Sequence, residues 1–227
     1  MSKFNFRGLV LSLAALAVMA FGATAAKADT FQINQTGGTL PAQNYGTLTL
    51  TLVGGNILVQ IDLNAGNKLI ETGQAGSIAF NSSLSPDPTI TVSGFTANPA
   101  AAASGYTLGY LGVPGSRHMD GTGTFEYAIL SSFGANDPAA NDLSFTVSKT
   151  GGFSSINDLL SANGNGFTWS FDIFCSTCNG GQGATGFVGV GTNTVPDVPE
   201  PASMLLLGTG LVGVAAGIRR RRKQNSV

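Results

Sequence analysis

The chain has 227 residues, of which 10% are charged and 43% hydrophobic, with 32 glycines and 2 cysteines. Between Asp29 and Asp197 eleven acids stand against Lys68, Arg117 and Lys149, a formal charge of −8; the whole chain carries −1 because the balancing cations lie at its two ends. An acidic, lysine-poor body lacks the basic groups that phosphate backbones require, which excludes nucleic acid as a partner, and its regular apolar alternation excludes wholesale disorder.

Met1 to Arg7 carries two cations, and Gly8 to Phe21 is apolar apart from Ser12. Small residues at Ala26 and Ala28 follow in the A-x-A arrangement read by signal peptidase, so residues 1–28 are predicted to be a signal peptide cut between Ala28 and Asp29. A permanent anchor needs about 20 apolar residues; this run is shorter and ends in a cleavage site. The remaining body, about 170 residues long, suffices for one hydrophobic core.

Period-two alternation then recurs along the chain. Thr47 to Val53 puts threonines on one face and leucines on the other, Gly54-Gly55-Asn56 reads as a tight turn, and Ile57 to Leu63 as the partner strand. In this strand Asp62 shares a solvent-facing row with Leu58 and Gln60. Further strands are predicted over 77–81, 89–95, 106–111, 122–130, 143–149, 167–174 and 186–190, with Ser85-Pro86-Asp87-Pro88 and Asn136-Asp137-Pro138 as turns. The alanine-rich stretch 97–104 reads as a surface loop, and 155–162, behind Ser154 as N-cap, as the one short helix. The predicted fold is all-β: a single sandwich or jelly-roll ectodomain over 29–190 with one helix.

The candidates for chemistry are few. His118 is the only histidine, and the serine near it lacks the G-x-S-x-G context of a nucleophile elbow. Two carboxylates suffice for glycoside hydrolysis, so Asp62 with Glu126 or Asp172 is an arithmetical candidate that nothing in the sequence singles out. Trp169 alternates with Phe167 and Phe171 on one apolar face and reads as core; such an enzyme would need it exposed in an acidic groove. Cys175 and Cys178 are the only cysteines; in an oxidising compartment their simplest product is a local disulfide, while a redox site would need a following helix and a zinc site two more ligands. Asn136-Asp137 and Asn141-Asp142 could offer oxygen to calcium at a loop, but they fit neither the EF-hand nor the nonapeptide pattern, and turn formation explains them without an ion. No catalytic residue, metal or cofactor is therefore assigned.

Residues 191–198 form a polar, proline-containing linker. The run 202–218 is uncharged and, as a helix, spans roughly 25 Å, near the lower limit for a bilayer. Arg219, Arg220, Arg221, Arg222 and Lys223 follow at once and should stay cytoplasmic, which puts the body outside the inner membrane. Pro199 and Pro201 hold the chain extended around Glu200, a form suited to a processing enzyme's cleft.

Motif, apolar span and basic cluster, in this order over 199–227, resemble the PEP-CTERM sorting signal, with Pro199-Glu200-Pro201 in the place of the motif. The resemblance covers only about the last thirty residues. It implies reading by an exosortase, an integral membrane cysteine transpeptidase. The precursor would be held in the inner membrane and the ectodomain passed to the envelope or extracellular matrix of a Gram-negative bacterium. The family's association with exopolysaccharide suggests a matrix or biofilm role, structural or adhesive and non-enzymatic. A secreted carbohydrate-active enzyme and a calcium- or glycan-binding module, both on a jelly-roll scaffold, are the alternatives.

Overall fold

The computed structural model of the protein describes residues 28–73, 76–110 and 117–191. The signal segment before Ala28 and the sorting motif, apolar run and basic tail predicted after Gly191 lie outside the described residues.

The described chain is all-β. Its strands are β1 (Ala28–Ile33), β2 (Gln35–Thr36), β3 (Gly46–Val53), β4 (Asn56–Leu63), β5 (Asn67–Leu69), β6 (Ile78–Phe80) and β7 (Ile90–Asn98), then β8 (Tyr106–Tyr110), β9 (Arg117–Met119), β10 (Gly123–Phe125), β11 (Tyr127–Ser131), β12 (Asp142–Lys149), β13 (Phe167–Cys175) and β14 (Ala184–Gly191). They form a five-stranded antiparallel sheet in the order β1-β3-β4-β12-β7 and a seven-stranded sheet in the order β2-β14-β13-β6-β11-β8, with β5 also on β13. A separate two-stranded sheet joins β9 to β10.

The predicted hairpin is β3–β4, and its turn is shorter than the sequence suggested. Asn56 already pairs with Val53, leaving only Gly54 and Gly55, at φ +57° and +81°, to reverse the chain. Two successive positive φ values match the twist of the flanking strands and are cheap only for glycine-like residues. Leu48, Leu50, Ile57, Val59 and Ile61 are buried, whereas Gln60 and Asp62 are exposed. Each buried aliphatic contributes about 1.5–3 kcal/mol.

Strand β13 departs from simple alternation, because both of its faces are buried. On one face Trp169 stacks on Phe80 at 4.3 Å between ring centroids, and Phe80 in turn on Tyr127 at 5.3 Å. A register shift between Phe167 and Trp169 breaks the row that period two had joined. Phe167 instead clusters with Ala79, Met119, Phe125 and Phe187. A bulge does this by inserting one extra residue and turning the next side chain to the other face.

Met119 and Phe125 come from the β9–β10 hairpin, which therefore covers this second face. Its tip lies against the end of β2: a Cβ on Gly121 would fall 1.8 Å from the Gly37 carbonyl oxygen. The strand predicted over 122–130 is thus two strands, broken at Glu126, where the chain crosses between sheets and the Glu126 amide donates to Asn81 Oδ1 at 2.9 Å.

Two other expectations are corrected. The helix predicted over 155–162 is a single 3₁₀ turn, Ile156–Leu159, capped by Ser155 rather than Ser154 in a capping box with Asp158. Its carbonyls are taken by Ser83 Oγ, Ser82 Oγ and Trp169 Nε1, bound to Asn157, Asp158 and Leu159 respectively, so the carbonyls that would continue a helix are occupied elsewhere. The predicted loop 97–104 is partly ordered: β7 runs to Asn98 and a 3₁₀ segment spans Ala100–Gly105. Strands β1, β2, β5 and β9 were not foreseen.

Candidate functional site

Cys175 ends β13, and Cys178 follows three residues on, before the next 3₁₀ segment. Cys175 and Cys178 form a disulfide, and Gln43 Nε2 approaches the two sulfurs at 3.8 and 3.7 Å. The following chain is a three-residue 3₁₀ segment interrupted by Gly180 at φ +68°, not the helix that a thioredoxin-type site opens. The ring sits between neighbours: the Ser176 amide donates to the Gly66 carbonyl at 2.9 Å, and Cys175 pairs with Asn67 of β5 and with Ala184 of β14. Closing so small a ring stabilises by about 2 kcal/mol in the chain-entropy model. Changing both cysteines to Ala is expected to lower the melting temperature by about 4–8 °C without changing the fold, read by thermal unfolding and far-ultraviolet circular dichroism.

The acids weighed as a hydrolytic pair lie in different places. Asp62 stands on the exposed face of the five-stranded sheet, where its partner across the ladder is Asp142, not Glu126 or Asp172. Asp142 itself accepts a hydrogen bond from Asn98 Nδ2 at 3.1 Å. Partial burial, then the adjacent Asp142 carboxyl, raises the Asp62 pKa. The two acids border an open groove of about 360 Å³, lined also by Gln60, Thr96, Asn98 and Ser144. Glu126 is half-buried and accepts from the Ser82 amide at 2.8 Å; burial raises its pKa, the Ser82 bond opposes this, and Asp87 adds to the rise. Asp172 is fully buried behind the β9–β10 hairpin.

His118 lies in β9, 65% exposed, with Nδ1 3.5 Å from the 84% exposed Asp120 carboxylate. Exposure on this scale leaves the pair little mutual stabilisation. Trp169 is 0% exposed, and its Nε1 donates to the Leu159 carbonyl at 2.9 Å. Asp137 Oδ2 closes a turn on the Gly134 amide at 2.6 Å, and the Asn141 amide donates to the Asn98 carbonyl at 3.0 Å. No group of three or more His, Cys, Asp or Glu is placed to hold a metal among the described residues. Ala28 and Asp29 are the first residues of β1, paired with Thr51 and Leu50.

Sequence reasoning missed the Asp62–Asp142 opposition. Outward positions in two strands were readable, but their adjacency depends on strand order. It also missed the closure of Asp172, for which the only signal was a pair of apolar residues: Met119, in a stretch given no strand, and Phe125, in the strand predicted over 122–130.

Fold and site thus define an all-β protein with a disulfide-stapled turn and, among its described residues, acids distributed over several faces. Its C-terminal region carries a sorting signal: residues 197–222 match the PEP-CTERM protein-sorting motif. That motif implies export, a membrane-anchored precursor and exosortase as the processing partner. No helix among the described residues is long and apolar enough to cross a membrane. No curated protein and no solved structure matches the chain.

Proposed function

We propose that the protein is a non-enzymatic component of the bacterial cell envelope or extracellular matrix, structural or adhesive, and associated with exopolysaccharide. The observation that carries this reading is the sorting motif at residues 197–222. In this reading signal peptidase cuts between Ala28 and Asp29, a transmembrane helix over 202–218 holds the precursor, and exosortase releases the ectodomain. The two large sheets, each with a buried face, are read as the layers of a β-sandwich.

The side-chain chemistry supports a scaffold. Hydroxyl pairs such as Thr30–Thr49 at 2.9 Å and Thr96–Ser144 at 2.6 Å cross-link neighbouring strands of the five-stranded sheet. Such a face offers hydrogen bonds to a hydroxylated polymer, with Asp62 and Asp142 as the acids among its hydroxyls and amides. Hydrolysis of a glycan would need two carboxylates roughly 5–9.5 Å apart about an open cleft. Asp172 and Trp169, two of the residues such a cleft would use, are both 0% exposed.

The test compares cells with and without the gene. The reading expects the protein in the matrix fraction, reduced cell–cell cohesion on deletion, and restoration by the full-length gene. Release of reducing sugar from matrix polysaccharide by the purified protein, lost in Asp62→Asn, would overturn the non-enzymatic role. Unchanged cohesion on deletion would overturn the structural one.

A further inference from the structure

Asp172 of β13 is 0% exposed, as is Ser77 at the entrance to β6, and the Asp172 amide donates to the Ser77 carbonyl at 2.8 Å. The register pairs Phe171 with Ile78, so Asp172 and Ser77 fall opposite each other, where antiparallel neighbours share a face. Oδ2 of Asp172 accepts both donors of Thr72, the amide at 2.6 Å and the hydroxyl at 2.8 Å. Among the described residues Oδ1 has no hydrogen-bond partner, and neither has the Ser77 hydroxyl, so the two do not bond each other. Buried oxygens left in this way bear the full cost of lost hydration.

The charged groups facing Asp172 are Glu71, in the connection after β5, and Asp120, in the β9–β10 turn; both are acids and both oppose a negative charge on Asp172. Burial is the largest effect and acts in the same direction, outweighing the two Thr72 donors and pushing the Asp172 pKa up to about 6.

We propose that the folded protein carries Asp172 as the neutral acid, its proton on the unpartnered Oδ1, making this junction an acid-stabilised clamp. The clamp joins three segments, because the Ile70 amide also donates to the Asp172 carbonyl at 3.0 Å. Deprotonation leaves a carboxylate facing two other acids in a site closed to water. The folded pKa stands above the ordinary carboxyl value, so the contribution is complete below that ordinary value and is lost as pH rises through about 6.

The test uses the full-length chain in detergent, with unfolding followed by the fluorescence of Trp169, the chain's one tryptophan. Between about pH 5 and about pH 7.5 the wild-type midpoint is expected to fall by about 3–5 °C. Asp172→Asn keeps an oxygen for Thr72 and is neutral throughout this pH window. It is expected to lose most of the pH dependence, the remainder belonging to Asp62 and Glu126, and to unfold above the wild type at about pH 7.5. Asp120→Asn, at an exposed position, removes one of the two facing acids and should also shrink the fall, which keeps the test open if Asp172→Asn does not fold. A wild-type midpoint that is flat or rising across the window overturns the proposal. So does Asp172→Asn destabilising equally at both pH values. Calcium chloride raising the wild-type midpoint at about pH 7.5, but not that of Asp172→Asn, would assign the pocket to a cation and overturn it too.

Discussion

Trp169→Ala is expected to cost about 3–5 kcal/mol, lowering the melting temperature by roughly 6–20 °C as read by circular dichroism. Trp169 is fully buried and stacked on Phe80 at 4.3 Å, with Phe171 at 6.4 Å. Truncation therefore opens a cavity between β13 and β6 that the rest of the Phe80–Tyr127 stack is too rigid to fill. It also strips the donor from the Leu159 carbonyl, whose residue is 0% exposed. Trp169→Phe separates the two effects: it retains most of the ring volume and loses the Nε1–H bond, for an expected cost of about 1–3 kcal/mol. A loss under about 1 kcal/mol for Trp169→Ala would mean that this aromatic stack does not hold the sheet together.

That stack was half legible in the sequence. Alternation over Phe167, Trp169 and Phe171 gave a strand and a buried face, because period two is a local property. It also grouped Phe167 with the other two, and the bulge after it is not local: it is set by how β14 pairs with β13. The hairpin β3–β4 was the most legible element, since strand, glycine turn and partner strand are contiguous and one face of each strand is uniformly apolar.

Everything that required strand order was illegible. Asp62 meets Asp142, and β12 lies between β4 and β7, only because strands remote in sequence are neighbours in the sheet. The same holds for Asp172. On a two-layer reading its position in β13 alternates with Trp169 and points to water. A second covering layer, to which the Thr72 segment and the β9–β10 hairpin contribute, turns that solvated acid into a buried one. A charged residue in an outward register thus acquires a raised pKa from an element that its own strand gives no hint of.

The sorting signal was legible for the opposite reason, since its parts are read in linear order by enzymes outside the fold. Glu200 is the only charged residue between Asp197 and Arg219. Proline stands on each side of it, with a fixed φ and no amide donor. A processing enzyme that recognises this stretch has that single carboxylate as its only ionic contact, and truncating one partner of a buried charge contact typically costs about 2–5 kcal/mol of binding. Glu200→Ala is therefore expected to block processing almost completely. Intact mass of the wild type from the outer fractions should correspond to a chain that begins at Asp29 and lacks Arg219 to Val227. The variant should begin at Asp29, keep its arginine tail and accumulate in the inner membrane. Its ectodomain contacts are untouched, so its stability should equal the wild type's, which separates a sorting defect from a folding one. If wild type and variant alike keep the tail and stay in the inner membrane, the Pro199-Glu200-Pro201 segment does not direct processing, and the protein acts as a membrane-tethered periplasmic domain.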